Sequence, residues 1–402
     1  MKKSVLILSS IYPAEDVDKE FTPVVHYFVR EWVKQEHNVI VIHNQAFYHE
    51  IFHLAANLFS KIIATFTGTN IPSKRLHKPK NFNLEDVRVF RIPIFKKIPR
   101  SRFSSFNIDQ QILKISKLLE STNFKPDIIL GHWLNPQLEL IAKLKSIYPQ
   151  AATCLTLHSN GGDILRLYPD NYAFLMTKID KWGFRSRSLK VEFESCFGQI
   201  RNTFICPSGI PRDFINLEFE KSFEKKLRSF IFIGSLIKRK YPVILIEALM
   251  QVYPKIDFSL EYVGEGREAK KIDDFIKSRN LENNITRHGY VKRSLARRLL
   301  LDSHCFIMIS KNEAYGLVYL EAMSSGCITI AAKNEGFDGV IEHGVNGFLC
   351  NAGDLDELTS LIQEINLMSI EQKKLISRNA MATASKLTDE NVALNYLNTI
   401  SQ

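Results

Sequence analysis

Ile307-Met308-Ile309-Ser310-Lys311-Asn312-Glu313-Ala314-Tyr315-Gly316-Leu317-Val318-Tyr319-Leu320-Glu321-Ala322-Met323-Ser324-Ser325-Gly326 is the stretch on which the reading turns. A short apolar run ending at Ser310 has the length of a buried strand, a polar loop carries Glu313, and an apolar helical pattern follows from Gly316 to Gly326. A buried strand that feeds a helix through a short loop is the unit of an α/β sheet. The first turn of such a helix has backbone N–H groups without partners and about half a positive charge, a natural seat for phosphate. Gly316 lets a ligand approach the backbone closely, Glu321 projects from the second turn and Glu313 sits in the loop above. Two carboxylates flanking a glycine at a strand-to-helix junction could also arise by chance on a surface.

The same alternation extends in both directions. Upstream strands are expected at Phe230–Ile233, Phe258–Val263, Ile285–His288 and His304–Ile309, and downstream at Cys327–Ala331 and Gly347–Cys350. An earlier series runs Val5–Leu8, Val39–His43, Val87–Ile92, Ile128–Leu130, Cys154–Leu157 and Phe204–Cys206. Between its first two strands, Thr22-Pro23 precedes Val24, Val25, Phe28, Val29, Trp32 and Val33, an amphipathic period with proline near the helix start. Two Rossmann-like units with mainly parallel sheets follow, an α/β fold in which ligands bind beyond the carboxyl ends of the strands and the site falls in a cleft between the units. The polar stretch Leu217–Ser229 reads as a linker.

Composition agrees with an ordinary globular chain: 402 residues, 45% hydrophobic and 24% charged, with only 18 Gly and 14 Pro, which excludes collagenous and largely disordered classes. Six scattered cysteines without a C-x-x-C pair read as small buried hydrophobes. The opening Met1–Ser4 runs straight into Val5–Leu8, too little for a signal-peptide core, and no apolar run reaches the ~20 residues of a membrane span. A soluble, cytoplasmic setting is expected.

The net charge of +10 is uneven, because residues 51–106 hold 11 Lys and Arg against Glu85 and Asp86. That segment interleaves its cations with Phe52, Leu54, Leu58, Phe59, Ile62, Ile63, Phe66, Phe90, Phe95 and Phe103. Two readings stand: a surface for anionic lipid headgroups, or a solvated insertion whose apolar residues close over the chain's own core. No nucleic-acid motif accompanies the charge, so nucleic acid is not an expected partner.

Three further stretches carry polar groups at strand ends. Phe232-Ile233-Gly234-Ser235-Leu236-Ile237-Lys238-Arg239-Lys240 puts glycine after a strand and three cations before the next helix, able to stabilise charge on a departing diphosphate or to form a plain basic turn. Val263-Gly264-Glu265-Gly266 is a glycine turn with little dinucleotide signal of its own. Leu157-His158-Ser159-Asn160-Gly161-Gly162 places His158 at a strand end, facing a ligand or packing locally. Ser9–Pro13, after the first strand, is a further position that could line an acceptor. No G-x-x-x-x-G-K-[ST], H-E-x-x-H or G-x-S-x-G occurs, which removes the main support for P-loop kinases, zinc proteases and α/β-hydrolases.

Taken together these stretches resemble the retaining glycosyltransferases of GT-B fold, family 4 (glycosyl transferases group 1). Pro207-Ser208-Gly209-Ile210 through Phe214, Gly234 with Lys240, Gly264-Glu265-Gly266, His288-Gly289-Tyr290-Val291 and Gly344–Leu349 fall on its patterns, and Glu313 with Glu321 falls on its E-x7-E motif. The first half matches more loosely, through His37–Ile42, Pro126–Ile129 and His158. The resemblance implies an acceptor domain over 1–206, completed by a helix at about 388–402, and a donor domain over 207–387. It implies a donor site of Gly234, Ser235, Arg239, Lys240, Gly264, His288, Glu313, Ala314, Tyr315, Gly316, Leu317, Val318 and Glu321. Within it Lys240 binds diphosphate, Glu321 the ribose and Glu313 the sugar, while His158 stands beside the reacting centre.

No metal or other cofactor is expected. The partners implied are a nucleotide-sugar donor and a saccharide or lipid-linked saccharide acceptor, with peripheral contact to anionic membrane at the inner face of the cytoplasmic membrane through residues 51–106. Hexosyl transfer in bacterial surface-polysaccharide synthesis is the expected role; a nucleotide-sugar 2-epimerase, a sugar phosphorylase and a non-enzymatic membrane- or polysaccharide-binding module are the rivals. Ser235 stands where the family has arginine, leaving Arg239 or Lys238 to replace it; Gly326-Cys327 lacks the usual proline, and Gly339 the usual glutamate.

Overall fold

The computed structural model describes residues 2–16, 23–54, 75–159 and 161–402. The chain divides into two compact units: Met1–Arg185, Leu189–Cys206 and Val392–Gln402 form the first, Ser186–Ser188 and Pro207–Asn391 the second.

The first unit carries β1 (Ser4–Ser9), β2 (Asn38–His43), β3 (Ala46–Phe47), β4 (Lys80–Leu84), β5 (Val87–Arg91), β6 (Ile94–Phe95), β7 (Ile128–His132), β8 (Ala152–Leu157), β9 (Lys181–Phe184) and β10 (Thr203–Ile205). Its main sheet has the order β10-β9-β8-β7-β1-β2-β5-β4, all parallel except the β4–β5 edge pair. Valine, isoleucine and leucine fill β1, β2 and β7 almost without interruption, because strands covered on both faces need no polar side. Helix α1 (Val24–Lys34) makes the β-α-β opening and buries Val25, Phe28, Val29 and Trp32.

The second unit carries β11 (Ser229–Ile233), β12 (Ser259–Val263), β13 (Ile285–Arg287), β14 (Cys305–Met308), β15 (Ile328–Ala332) and β16 (Phe348–Cys350). The order β13-β12-β11-β14-β15-β16 is parallel throughout, so numbered within the unit it runs 3-2-1-4-5-6. The strand order therefore reverses between β11 and β14, and ligands of such sheets bind at the carboxyl ends beside that reversal. Helices α2 (Pro242–Val252), α3 (Arg293–Asp302) and α4 (Leu317–Ser324) belong to this unit, while α5 (Asp389–Ser401) starts in it and carries Val392–Ser401 into the first unit. There Trp32 donates its indole N–H to the Ala393 carbonyl at 2.7 Å.

Several expectations need correction. Leu217–Ser229 is no linker: Phe223 and Leu227 lie in the second core, and the buried Lys221 ammonium donates to the carbonyls of Leu300, Leu301 and Ser303. It thereby supplies donors that the end of α3 lacks. Cys196 is exposed, whereas the other five cysteines are buried. Strands β4 and β9 went unread because Lys80-Asn81-Phe82-Asn83-Leu84 and Lys181-Trp182-Gly183-Phe184 lack a run of β-branched residues. Residues 55–74, with Leu58, Phe59, Ile62, Ile63 and Phe66 of the basic segment, lie outside the described residues. Of the remainder, Phe103 is buried and Phe90 packs on the first core, whereas Ile51, Leu54 and Ile98 are exposed. Among the described residues no helix is long and apolar enough to cross a membrane.

Candidate active site

At the reversal point of the second sheet, the loop after β11 meets the loop after β14. Lys311 donates its backbone N–H to the Arg239 carbonyl at 2.8 Å, and Arg239 returns its guanidinium to the carbonyls of Lys311 and Asn312 at 3.1 and 3.3 Å. This lacing brings three groups of the implied site together. The Glu313 carboxylate lies 3.2 Å from the Lys240 ammonium and 3.6 Å from the Arg239 guanidinium, and accepts from the Ser310 hydroxyl at 3.2 Å. Of the two cations that could replace the missing arginine, Arg239 is thus the one beside Glu313; Ser235 is exposed and Lys238 points to solvent. Lys240 also lies over Gly234, its ammonium 3.1 Å from where a β-carbon on that glycine would stand.

Gly316 begins α4 in the left-handed region (φ 80°), and a β-carbon there would strike the Tyr319 ring at 2.4 Å. Glycine is required on both counts. Tyr319 braces the junction, donating to the Met308 carbonyl at 2.6 Å and lying 3.2 Å from the Ser310 hydroxyl. Gly336 permits a second close approach: a β-carbon would stand 2.4 Å from the Glu313 carbonyl oxygen, and Glu335 accepts the Glu313 backbone N–H at 2.9 Å. The side chain of Tyr315 does not face a ligand. It is buried against Phe337 and donates to the Ser208 carbonyl, so only its backbone can belong to the implied set.

Glu321 is buried one turn into α4, and its carboxylate is met by Arg293 at the start of α3. Burial pushes its pKa up, and the Arg293 charge acts against that push. His288 is paired with Glu261 on the neighbouring strand at 2.6 Å, so its imidazole is committed to that carboxylate. Gly264 has no room for a side chain, because a β-carbon would fall 2.1 Å from the Gly234 carbonyl oxygen. Arg293, Ser310, Tyr319 and Glu335 escaped the sequence reading. Ser310 and Tyr319 stand inside the stretch that decides the fold, but nothing local marks Arg293.

In the first unit, the reversal lies between β1 and β7, and there His158 is part of a cluster. Its Nε2 is 2.9 Å from Nδ1 of His132, the last residue of β7, and its ring stacks on Trp133 at 4.2 Å between centroids. Trp133 holds a left-handed backbone (φ 66°), a costly conformation for a bulky residue. The Tyr396 hydroxyl of α5 lies 3.4 Å from His132 Nε2 and is hydrogen-bonded to Thr156. Burial, followed by the Arg185 charge, holds both imidazoles well below the usual histidine value of 6.5. His132 and Trp133 also escaped the sequence reading, although Gly131-His132 ends a strand. Ser9–Pro13 is largely committed to the unit itself: Tyr12 is buried and bonds His26 at 2.9 Å.

The depressed histidines give a stability prediction. His26, His132 and His158 are pushed down, and His43 is pushed to about 3 by burial and the Arg91 charge. Above pH 6.5 folded and unfolded chains are both neutral at these sites. Below it the unfolded chain takes up protons that the folded one refuses, so stability falls by up to about 1.4 kcal/mol per pH unit for each histidine. Melting of the first unit is expected to drop steadily from pH 7 to pH 5, and a flat profile there contradicts the burial.

Residues 213–382 match the family model described as glycosyl transferases group 1. The match lies within the second unit. A stretch of 161 residues is 30% identical to N-acetyl-alpha-D-glucosaminyl L-malate synthase of Bacillus anthracis, covering 40% of this chain and 41% of that protein. An uncharacterized glycosyltransferase of Methanocaldococcus jannaschii is 24% identical over 313 residues, 76% of this chain and 82% of its own. Among solved structures, Anabaena HepE in complex with UDP and glucose superposes with a TM-score of 0.64 at 19% identity over 99% of both chains. Sucrose-phosphate synthase of Thermosynechococcus elongatus does so with 0.70 at 14% identity over 98% of both. These likenesses give the chain the GT-B fold.

Proposed function

We propose that this group 1 glycosyltransferase moves a hexose-type sugar from a nucleoside diphosphate to a saccharide acceptor, with retention at the anomeric carbon. The observation that carries the reading is the convergence of Lys240, Arg239 and the start of α4 on Glu313, beside the point where the second sheet reverses. When the bond from the anomeric carbon to the diphosphate breaks, negative charge grows on the leaving oxygen. A fixed ammonium and the unpaired N–H groups of a helix start stabilise that charge more than the ground state, which is what lowers a barrier. The acceptor hydroxyl then bonds to the same face of the carbon, and its proton passes to the departing phosphate oxygen. Glu313 orients the sugar, Glu321 accepts from the ribose hydroxyls and His158 serves beside the reacting carbon. No metal ion is required in this reading, because the cations supply the charge.

HepE with UDP and glucose, and a relative named for glucosaminyl transfer to malate, favour a nucleotide-linked hexose as donor. We further propose a lipid-linked acceptor, as in bacterial surface-polysaccharide assembly at the inner face of the cytoplasmic membrane, because exposed Ile51, Leu54 and Ile98 belong to the basic segment. The test is product analysis with a panel of nucleotide sugars, with and without acceptor, on free enzyme and on vesicles of 30% phosphatidylglycerol. Sugar transfer only in the presence of acceptor is expected, with vesicle binding that weakens as salt rises. A changed nucleotide sugar without acceptor would identify an epimerase, and absence of vesicle binding at low salt would remove the membrane part.

A further inference from the structure

We infer that Arg293 is a positioning residue for nucleotide binding, which holds Glu321 by one carboxylate oxygen so that the other is presented to the ribose hydroxyls. The inference rests on the reading of Glu321 given above and adds a residue from a different helix, 28 positions away.

Two nitrogens of the guanidinium meet one carboxylate oxygen: Nε and Nη2 of Arg293 lie 2.8 and 2.7 Å from Oε1 of Glu321. The arginine is itself fixed. Its guanidinium stacks over the Phe214 ring at 4.8 Å, and Arg297, one turn further along α3, stacks over the same ring at 4.4 Å while donating to the Asp213 carbonyl at 2.6 Å. A planar cation gripped by an aromatic shelf loses little freedom when it orients a carboxylate.

The electrical setting makes this hold consequential. Two charged groups act on the Glu321 carboxyl, Arg293 from α3 and Asp389 from the start of α5. Burial and Asp389 both favour the protonated acid, and Arg293 alone opposes them. A protonated carboxyl is a poorer acceptor for two ribose hydroxyls than an anion.

The experiment compares binding of UDP, GDP and ADP, takes the tightest, and measures it against its 2′,3′-dideoxy analogue by calorimetry. In the wild-type protein, loss of the two hydroxyls is expected to weaken binding by about tenfold or more. In Arg293→Gln at pH 7 that ratio should shrink to about threefold or less and recover as the pH is raised, because the carboxyl ionises again. Arg293→Lys keeps the charge but not the fork, and should give an intermediate ratio whose fall-off on acidification lies at higher pH than in wild type. This variant carries the test if Arg293→Gln does not fold. A folded Arg293→Gln with the wild-type ratio at pH 7, or an Arg293→Lys identical to wild type in ratio and pH profile, overturns the inference. Equal binding of the two nucleotides by the wild-type protein overturns the ribose role of Glu321 and this inference with it.

Discussion

Lys240→Ala is expected to lower kcat by about 10²- to 10³-fold, the usual consequence of deleting one preorganised charge that faces the developing transition state. The side chain is largely buried, and the loop after β14 fixes its ammonium through Glu313 at 3.2 Å. A mobile surface lysine would be screened by water and salt, but this one spends its charge in a confined place. Binding of a diphosphate exchanges one anionic partner for another, so the ammonium needs no large rearrangement. The fold should survive, because the Arg239 guanidinium and the Ser310 hydroxyl still face Glu313 when the lysine is gone. Steady-state turnover with the active nucleotide sugar, alongside thermal melting, checks both halves. Near-normal turnover in a folded Lys240→Ala enzyme would end the assignment of this loop to the leaving group.

Gly264→Ala is expected to cost about 2–4 kcal/mol of stability in the second unit, at the high end of what a single methyl does. The loop after β12 rests directly on the loop after β11, with the Gly234 N–H on the Val263 carbonyl and the Leu236 N–H on the Glu265 carbonyl, both at 2.9 Å, while the Gly264 N–H reaches the Gly289 carbonyl beyond β13 at 2.7 Å. A β-carbon would meet the Gly234 carbonyl carbon at 2.9 Å and its oxygen closer still. The backbone φ of 132° adds strain for any L side chain. No flexible side chain can yield there, so one of the two loops must move, and the loop after β11 is the one that leads to Lys240. Urea denaturation should show a lower midpoint with unchanged slope, and nucleotide affinity should fall with it. An unchanged midpoint would mean that the two glycine loops are not in contact.

The limits of a sequence reading are visible in the residues it misplaced. Charge runs are taken as solvated because most are, yet Lys221 reaches three carbonyls at the end of α3 and lies inside the second unit. Its neighbours Glu220 and Glu224 stay at the surface, so the string of charges alone could not single it out. Cys196 illustrates the converse: a residue type that is usually buried sits on an exposed helix face. At the site, the glycine and carboxylate positions of the loop after β14 were legible because they are close together in the chain. Their partners were not. The contacts of His132 with His158 and of Arg293 with Glu321 exist only once strand order and helix docking are set.

By itself the amino-acid sequence determined twelve of the parallel strands' approximate positions, the β-α-β opening and the strand-loop-helix carrying Glu313 and Glu321, because apolar periodicity and glycine placement act over a few residues at a time. Only the tertiary structure decided that the second sheet reverses between β11 and β14, and therefore that Lys240 faces Glu313 while Arg293 grips Glu321. Periodicity states which face of an element is buried, but which element lies against that face depends on the packing of the whole unit.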